Sequence, residues 1–308
     1  MPTTMHTRLA GLTVFAIANL LAHAANADTP TDLSRPFDRY SWVTTHNAFT
    51  SNGSFPNQRQ TIEEQLAAGV RAFMLDLHEH RGRVSLCHNR CTTPPTHFAD
   101  LVNGTLLPFL ERDPSAVLML HLEDFTTRDA LVAELERAPA LAAMTFDPDA
   151  WDIDGWPTYE AIVQSGRRIL VFTLANEQSG RIDTPAGPVH FMRSDAFTVE
   201  NYWSLGTPVI EHNYACYSRW KHVPLSEAEV AGKPGWRRLF TMNHFHDAAT
   251  PLTDWHVAAD NDFDRLHVRY VDYCRPAAGR KPNFVAVDIH EDGDTAKFVH
   301  WLNAFAPD

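Results

Sequence analysis

Near-continuous apolar runs recur along this chain with helical patterns between them. The runs are RAFMLDL (71–77), AVLMLHLED (116–124), RRILVFTLA (167–175), RRLFTMNHF (237–245) and NFVAVDIH (283–290). A strand that is apolar on both sides must be covered on both sides, which is the signature of a parallel sheet. TIEEQLAAG opens with a capping-box pair, Thr61 and Glu64, and stops at Gly69. ADLVNGTLLPFLERDP, TRDALVAELERA, PTYEAIVQSG and TAKFVHWLNAF read as further amphipathic helices. Strand and helix alternating over about 280 residues predict an α/β protein, a single (β/α)8-type TIM barrel with some distortion; a doubly wound sheet is the alternative. No repeat or long linker divides the chain, and 308 residues, 44% of them hydrophobic, suffice for one large core.

Residues 1–27 stand apart from this pattern. A basic start (Arg8), an apolar run and small residues before a polar stretch have the layout of a secretory signal, with cleavage after Ala24 or Ala27. The apolar part is too short to span a bilayer, although an uncleaved anchor is the competing reading. Residues 28–308 then form the folded domain, secreted or periplasmic. The formal charge of −12 argues against non-specific binding to nucleic acid or to an anionic membrane surface, so an anionic substrate needs a local cationic site or a metal.

Export permits disulfides. Cys87 and Cys91 are close enough to close a small loop in SLCHNRCTT, which would leave Cys216 with Cys274. Four cysteines nonetheless allow three pairings. Zinc is the weaker alternative, because Cys-x3-Cys without a matched second pair is a poor template for it.

Polar residues inside the runs share a position. His46 and Asn47 lie near the end of SWVTTHNAF, and Asp76, Glu123, Asp124 and Asp288 fall at or near the C-terminal ends of their runs; His88 ends RVSLCH. In an α/β barrel that rim carries the active site. Each residue alone has a commoner explanation, as a helix cap or a surface hydrogen-bonding group, but six on one rim point to a site. Asn243 and His244, in NHFHD (243–247), end another strand and are candidate pocket contacts. Trp151, Trp156, Trp203, Trp220, Trp236 and Trp255 are read first as packing and only second as sugar or lipid contacts.

Two imidazoles, an amide and several carboxylates suit phosphodiester cleavage. One imidazole can take a proton from an attacking hydroxyl while the other protonates the leaving oxygen. Asn and carboxylate oxygens can hold a hard dication. No Gly-x-Ser-x-Gly elbow supports serine hydrolase chemistry.

These segments, THNAF, NQRQTIEEQLAAGVRAFMLDLHEHRGRVSLCHNRC, FLERDPSAVLMLHLEDF, RRILVFTLANE and YVDYCRPAAGRKPNFVAVDIHEDGD, together resemble the phosphatidylinositol-specific phospholipase C superfamily with its X-type catalytic barrel. The likeness is strongest to the secreted PLC-like phosphodiesterase branch. The resemblance implies His46 as general base, His88 as general acid and Asp288 as the carboxylate that orients His46. It gives Asn47, Asp76 and Glu123 as ligands of Ca²⁺, and makes Arg71, at the far end of its strand, structural.

Two departures bear on the metal. Calcium-dependent relatives carry a carboxylate where this chain has Met74, and metal-independent ones an Arg where it has His78. The implied substrate is a phospholipid or other phosphodiester, met by a monomer in transient contact with a membrane surface. The alternatives are sphingomyelinase D-like or glycerophosphodiester phosphodiesterase activity, or a non-catalytic barrel that binds lipid head groups or carbohydrate.

Overall fold

The computed structural model describes residues 30, 32–52, 56–88, 91, 94–206, 212–246 and 253–306, with the backbone alone at 52 and 253–255. The expected leader (1–27) and the Trp255 side chain lie outside them. Ten strands are found among the described residues: β1 (Trp42–Thr45), β2 (Ala72–His80), β3 (Arg83–Leu86), β4 (Leu118–Asp124), β5 (Ile169–Thr173), β6 (Gly180–Thr184), β7 (Gly187–Arg193), β8 (Thr198–Glu200), β9 (Leu239–His244) and β10 (Phe284–Val287). Their order in the sheet is β6-β7-β5-β4-β2-β1-β10-β9-β8, with β3 against β2. Only β2–β3 and β6–β7 are antiparallel; the eight strands other than β3 and β6 form a parallel staircase in chain order.

The first strand of the staircase, β1, pairs with the last, β10, from Trp42↔Phe284 to Thr45↔Val287. A doubly wound sheet would leave its strands fanned out in an open sheet; here the two ends of the chain meet inside the wall, as barrel closure demands. The barrel stays open at one seam, because no ladder joins β7 to β8.

Sequence logic is visible in the helices. Thr61 and Glu64 make the expected capping box, and Gly69 follows at φ 101°. The helical stretch from Phe98 to Arg112 carries a π-helical segment at Val102–Leu106. Its Pro108 lies just beyond that segment, where a proline without an N–H is accommodated by the altered hydrogen bonding.

Strand periodicity sorts the side chains into two cores. Val43, Phe73, Leu75, Leu120, Val171 and Val285 face the helices in the larger cluster. Trp42, Ala72, Met119, Leu170, Phe172 and Phe284 fill the lower barrel, joined by Trp156 and Trp236. Arg71 is buried at the foot of β2, donating to the Leu66 and Val70 carbonyls and pairing with Asp113, so its role is structural, as expected.

Candidate active site

Inward rows climb the barrel from apolar to polar. Trp42 is followed by Thr44 and His46, Ala72 by Met74 and Asp76, Met119 by His121 and Glu123, and Phe284 by Ala286 and Asp288. The registers Met74↔His121 and Asp76↔Glu123 place these rows side by side. The C-terminal mouth of the barrel is therefore polar, and it holds a cavity of about 310 Å³ that His46, Asn47, Asp76, His88 and Glu123 all line.

His46 extends the β1–β10 ladder by donating its backbone N–H to Val287 O at 3.0 Å. Asn47 then turns the chain at φ 44°, a left-handed conformation that Asn tolerates better than most residues. His46 Nδ1 lies 2.7 Å from Asp288 Oδ1. The carboxylate accepts, so Nδ1 carries the proton and Nε2 presents a lone pair. Asp288 Oδ2 accepts from Asn57, whose Oδ1 accepts from Asn47, both at 3.1 Å. The His46 ring also stacks on Phe245 with centroids 3.7 Å apart and planes 5° apart. Chain, network and stacking together leave the imidazole one orientation.

The opposite wall is a charge cluster. Arg219 bridges two carboxylates, through Nη2 to Glu123 Oε1 at 2.6 Å and through Nη1 to Glu200 Oε1 at 3.0 Å. Burial alone would lower its pKa, but Glu200 and Glu123 outweigh that and raise it, so the guanidinium is a fixed cation. Burial, with Glu123 adding to it, pushes the Asp76 carboxyl up to about 7 against the pull of His46 and Arg219. His121 forms part of the floor, stacked on Phe172; burial takes it down to about 3 and keeps it neutral.

His88 enters from the Cys87–Cys91 loop. The structure contains that bridge and the Cys216–Cys274 bridge, and no free cysteine is found among the described residues. The Cys87 N–H also donates to Asp76 O, which ties the loop to β2. Burial first, and then the nearby His46, hold His88 below its ordinary pKa.

Asn243 and His244 do not line the cavity. Asn243 is fully buried and donates to Glu200 Oε1 at 2.7 Å, so it braces a carboxylate that holds Arg219. His244 pairs with Val287 on the outer face of the sheet and meets the Asp260 carbonyl and Arg269. Asp124 has outward parity too, and accepts from Thr126 at 2.7 Å. Among the described tryptophans, Trp203 lines the cavity.

Sequence reasoning missed Arg219 and Glu200, and within NHFHD, which it did place at the pocket, it picked Asn243 and His244 where Phe245 and His246 line the cavity. Glu200 ends a strand of three residues, too short to show a period, and Arg219 sits in a loop with none. Phe245 alone carried a legible signal, being two positions beyond Asn243 in the same apolar run.

The residues assigned to Ca²⁺ can be tested by their chemistry. Asn47, Asp76 and Glu123 do face one cavity, but the set does not fit a hard dication as it stands. Glu123 is occupied by a guanidinium, and Met74 offers a thioether on the same wall, where calcium takes oxygen.

An open parallel α/β barrel with two imidazoles, carboxylates and a bridging guanidinium at its C-terminal mouth defines the class of protein. The family model PI-PLC X 1 matches residues 33–201, more than half of the chain, which therefore belongs to the PI-PLC X family. A PI-PLC X domain-containing protein of Arabidopsis thaliana is 28% identical over 288 residues, covering 87% of this chain and 62% of the relative. An uncharacterised secreted protein of Arthroderma benhamiae is 23% identical, covering 85% and 59%. A PI-PLC X domain-containing protein 1 of the same fungus is 26% identical, covering 89% and 88%. The chain thus spans about three-fifths of the length of the first two.

Among solved structures, the phosphatidylinositol-specific phospholipase C of Listeria monocytogenes superposes with a TM-score of 0.57 at 15% identity, covering 91% of this chain and 98% of that one. The enzyme of Staphylococcus aureus gives 0.53 at 11%, covering 87% and 94%. The expected barrel and its distortion are both present. Among the described residues no helix is long and apolar enough to cross a membrane.

Proposed function

We propose that this chain is an exported phosphodiesterase that cleaves a phospholipid-type phosphodiester by attack of the substrate's own hydroxyl on phosphorus. The observation that carries the reading is His46, locked by Asp288 in the tautomer whose Nε2 can accept a proton, in one cavity with His88 and Arg219. Export is supported by the two disulfides and by the relative named as secreted.

In this scheme the substrate supplies the nucleophile. His46 Nε2 takes the proton of the hydroxyl beside the phosphate as its oxygen bonds to phosphorus. The bond from phosphorus to the alcohol oxygen breaks, and His88 gives that oxygen its proton. The products are a cyclic phosphodiester and the free alcohol, diacylglycerol in the case of an inositol lipid. Each proton transfer contributes about 10²–10⁴-fold. Arg219 takes the part for which a metal was expected, facing the charge that builds on the equatorial oxygens. Glu123 and Glu200 hold the guanidinium before substrate arrives, so little reorganisation is needed.

The test is to incubate the purified protein with phosphatidylinositol, glycosylphosphatidylinositol, lysophosphatidylcholine and glycerophosphodiesters, following products by phosphorus NMR. A cyclic inositol phosphate from the first two is expected. Choline release would move the protein to the sphingomyelinase D-like reading, and no turnover on any substrate would favour a binding barrel.

A further inference from the structure

Beside the cavity lies a second cluster that the scheme above does not use. His212 Nε2 is 2.5 Å from Asp260 Oδ1, and His246 Nε2 is 3.1 Å from Asp260 Oδ2. Asp260 is 3% exposed and His246 is 7% exposed. The potential ligand atoms of these three residues lie within 4.8 Å of one another.

The decisive detail is the other nitrogen of His246. Its Nδ1 is 2.9 Å from Gly206 O, and a carbonyl can only accept, so Nδ1 carries a proton. In the neutral ring Nε2 is then a bare lone pair, aimed at a carboxylate oxygen that is also an acceptor. Two acceptors at 3.1 Å in a buried place require a cation between them. A proton is one choice and a metal ion is the other. A ligating histidine whose far N–H is held by a backbone carbonyl is the usual support of a metal site.

We propose that His212, His246 and Asp260 form a binding site for a divalent transition metal of the zinc class, separate from the catalytic residues. Two imidazoles and one carboxylate are the donor set of an open tetrahedral zinc site, with the fourth position left to water. A tetrahedron with bonds of about 2.0–2.1 Å has edges of about 3.3 Å, close to the 3.1 Å between His246 and Asp260, while the 2.5 Å between His212 and Asp260 has to open by about 0.8 Å as the ion enters. Arg265 touches Asp260 Oδ1 at 2.9 Å and His212 Nε2 at 3.3 Å. Its side chain is 41% exposed and can swing into solvent when a metal enters, whereas Oδ2 on the buried side is out of its contacts.

The ion would brace the mouth of the barrel. Asn261, next to Asp260, donates to the backbone carbonyls of Asp288, Ile289 and Asp292 at 2.9, 3.4 and 3.1 Å. Fixing Asp260 therefore steadies the turn from which Asp288 holds His46. His246 itself borders the cavity.

The experiment uses the untagged full chain, stripped with chelator and titrated with Zn²⁺ alone by calorimetry, and with Co²⁺ by visible absorption. One equivalent of Zn²⁺ at micromolar affinity or better is expected, together with the intense d–d bands of four-coordinate Co²⁺. His212→Ala and His246→Ala should each weaken Zn²⁺ binding more than about 100-fold, since loss of an outer-shell partner alone costs 10–100-fold. Near-UV circular dichroism of the metal-free variants reports their fold, and the less buried His212→Ala decides if His246→Ala misfolds. Absence of an equivalent of Zn²⁺ in the wild type would mean that a proton holds the cluster, and unchanged affinity in both variants would place the metal elsewhere; either result overturns the proposal. Neither readout depends on phosphodiesterase activity, so this proposal and the functional one fail separately.

Discussion

Asp76→Asn tests the electrostatics of the site through stability. The folded protein raises this carboxyl from 3.8 to about 7, chiefly by burial and then by the neighbouring Glu123. Between those two values the native state binds a proton that the unfolded state has lost, so stability falls as pH rises through this window and levels off above it. The full difference corresponds to about 4 kcal/mol, on the order of a third to a half of a typical domain's stability. An amide has the shape of the protonated acid and no charge to desolvate. Asp76→Asn should therefore match the wild type near pH 4.5 and exceed it by several kcal/mol at pH 8, with cleavage reduced. Urea unfolding of both proteins at half-unit pH steps, with disulfides intact, measures the difference, and subtracting the two curves removes every other titrating group. Parallel curves, or a variant less stable at pH 8 than at pH 4.5 relative to wild type, would refute the reasoning.

Arg219→Ala should lower kcat/KM by about 10²–10³-fold, as loss of a charge-stabilising donor does, while adding Ca²⁺ to the chelator-treated wild type should leave its rate unchanged; a rate lost on chelation and recovered with Ca²⁺ but not with Zn²⁺ would restore calcium to the site. Because burial and His46 lower the His88 pKa, the alkaline limb of the kcat/KM profile, where the acid loses its proton, should lie below 6.5, and a limb above 7 would remove His88 from that role. His88→Ala should lose about 10²–10⁴-fold on a lipid and recover most of its rate on a nitrophenyl phosphodiester, while His46→Ala stays impaired on both; equal losses for His88→Ala would show that it is not the acid. Replacing Cys216 and Cys274 should cost about 4 kcal/mol for a bridge spanning 58 residues, against about 2 kcal/mol for Cys87 and Cys91, whose loss should fall more on rate; denaturation of the two double variants beside their kcat values checks the contrast.

How much of this was legible in the sequence follows from period and parity. The long apolar runs could be read as buried parallel strands, and four of the site's polar residues stand on inward rows that follow from counting by twos along them: Trp42 to His46, Ala72 to Asp76, Met119 to Glu123, Phe284 to Asp288. The same count separates the residues that missed. His244 and Asp124 lie one position off the inward rows and face outward, although each sits at the expected strand end. β6, β7 and β8 escaped because a two-residue hairpin turn and strands of three to seven residues carry little periodic signal. Arg219 had no such signal, since a loop residue reaches the mouth only through tertiary contacts, here the Arg219 N–H to Glu200 O bond at 2.9 Å and the nearby Cys216–Cys274 bridge.

On the proposed function, that origin lets a loop arginine supply the positive charge for which the resemblance implied a metal. Residues on β2 are fixed in position by the ladder, where Met74 offers a thioether to the cavity and His78 stacks on Phe125. The loop between β8 and β9 doubles back on the end of β8, where Tyr202 N–H donates to Tyr217 O and Arg219 N–H to Glu200 O, and so brings a guanidinium to the mouth. Glu123 is one anchor for Arg219, with Glu200 as the second. An arginine has five N–H donors in a planar fork, and these two carboxylates engage one terminal nitrogen each, leaving N–H groups to meet a phosphate. Of the residues that the resemblance assigned to a metal, Glu123 is thus one of the two carboxylates that hold Arg219, while the His46–Asp288 pair on the other side of the mouth stays as β1 and β10 build it.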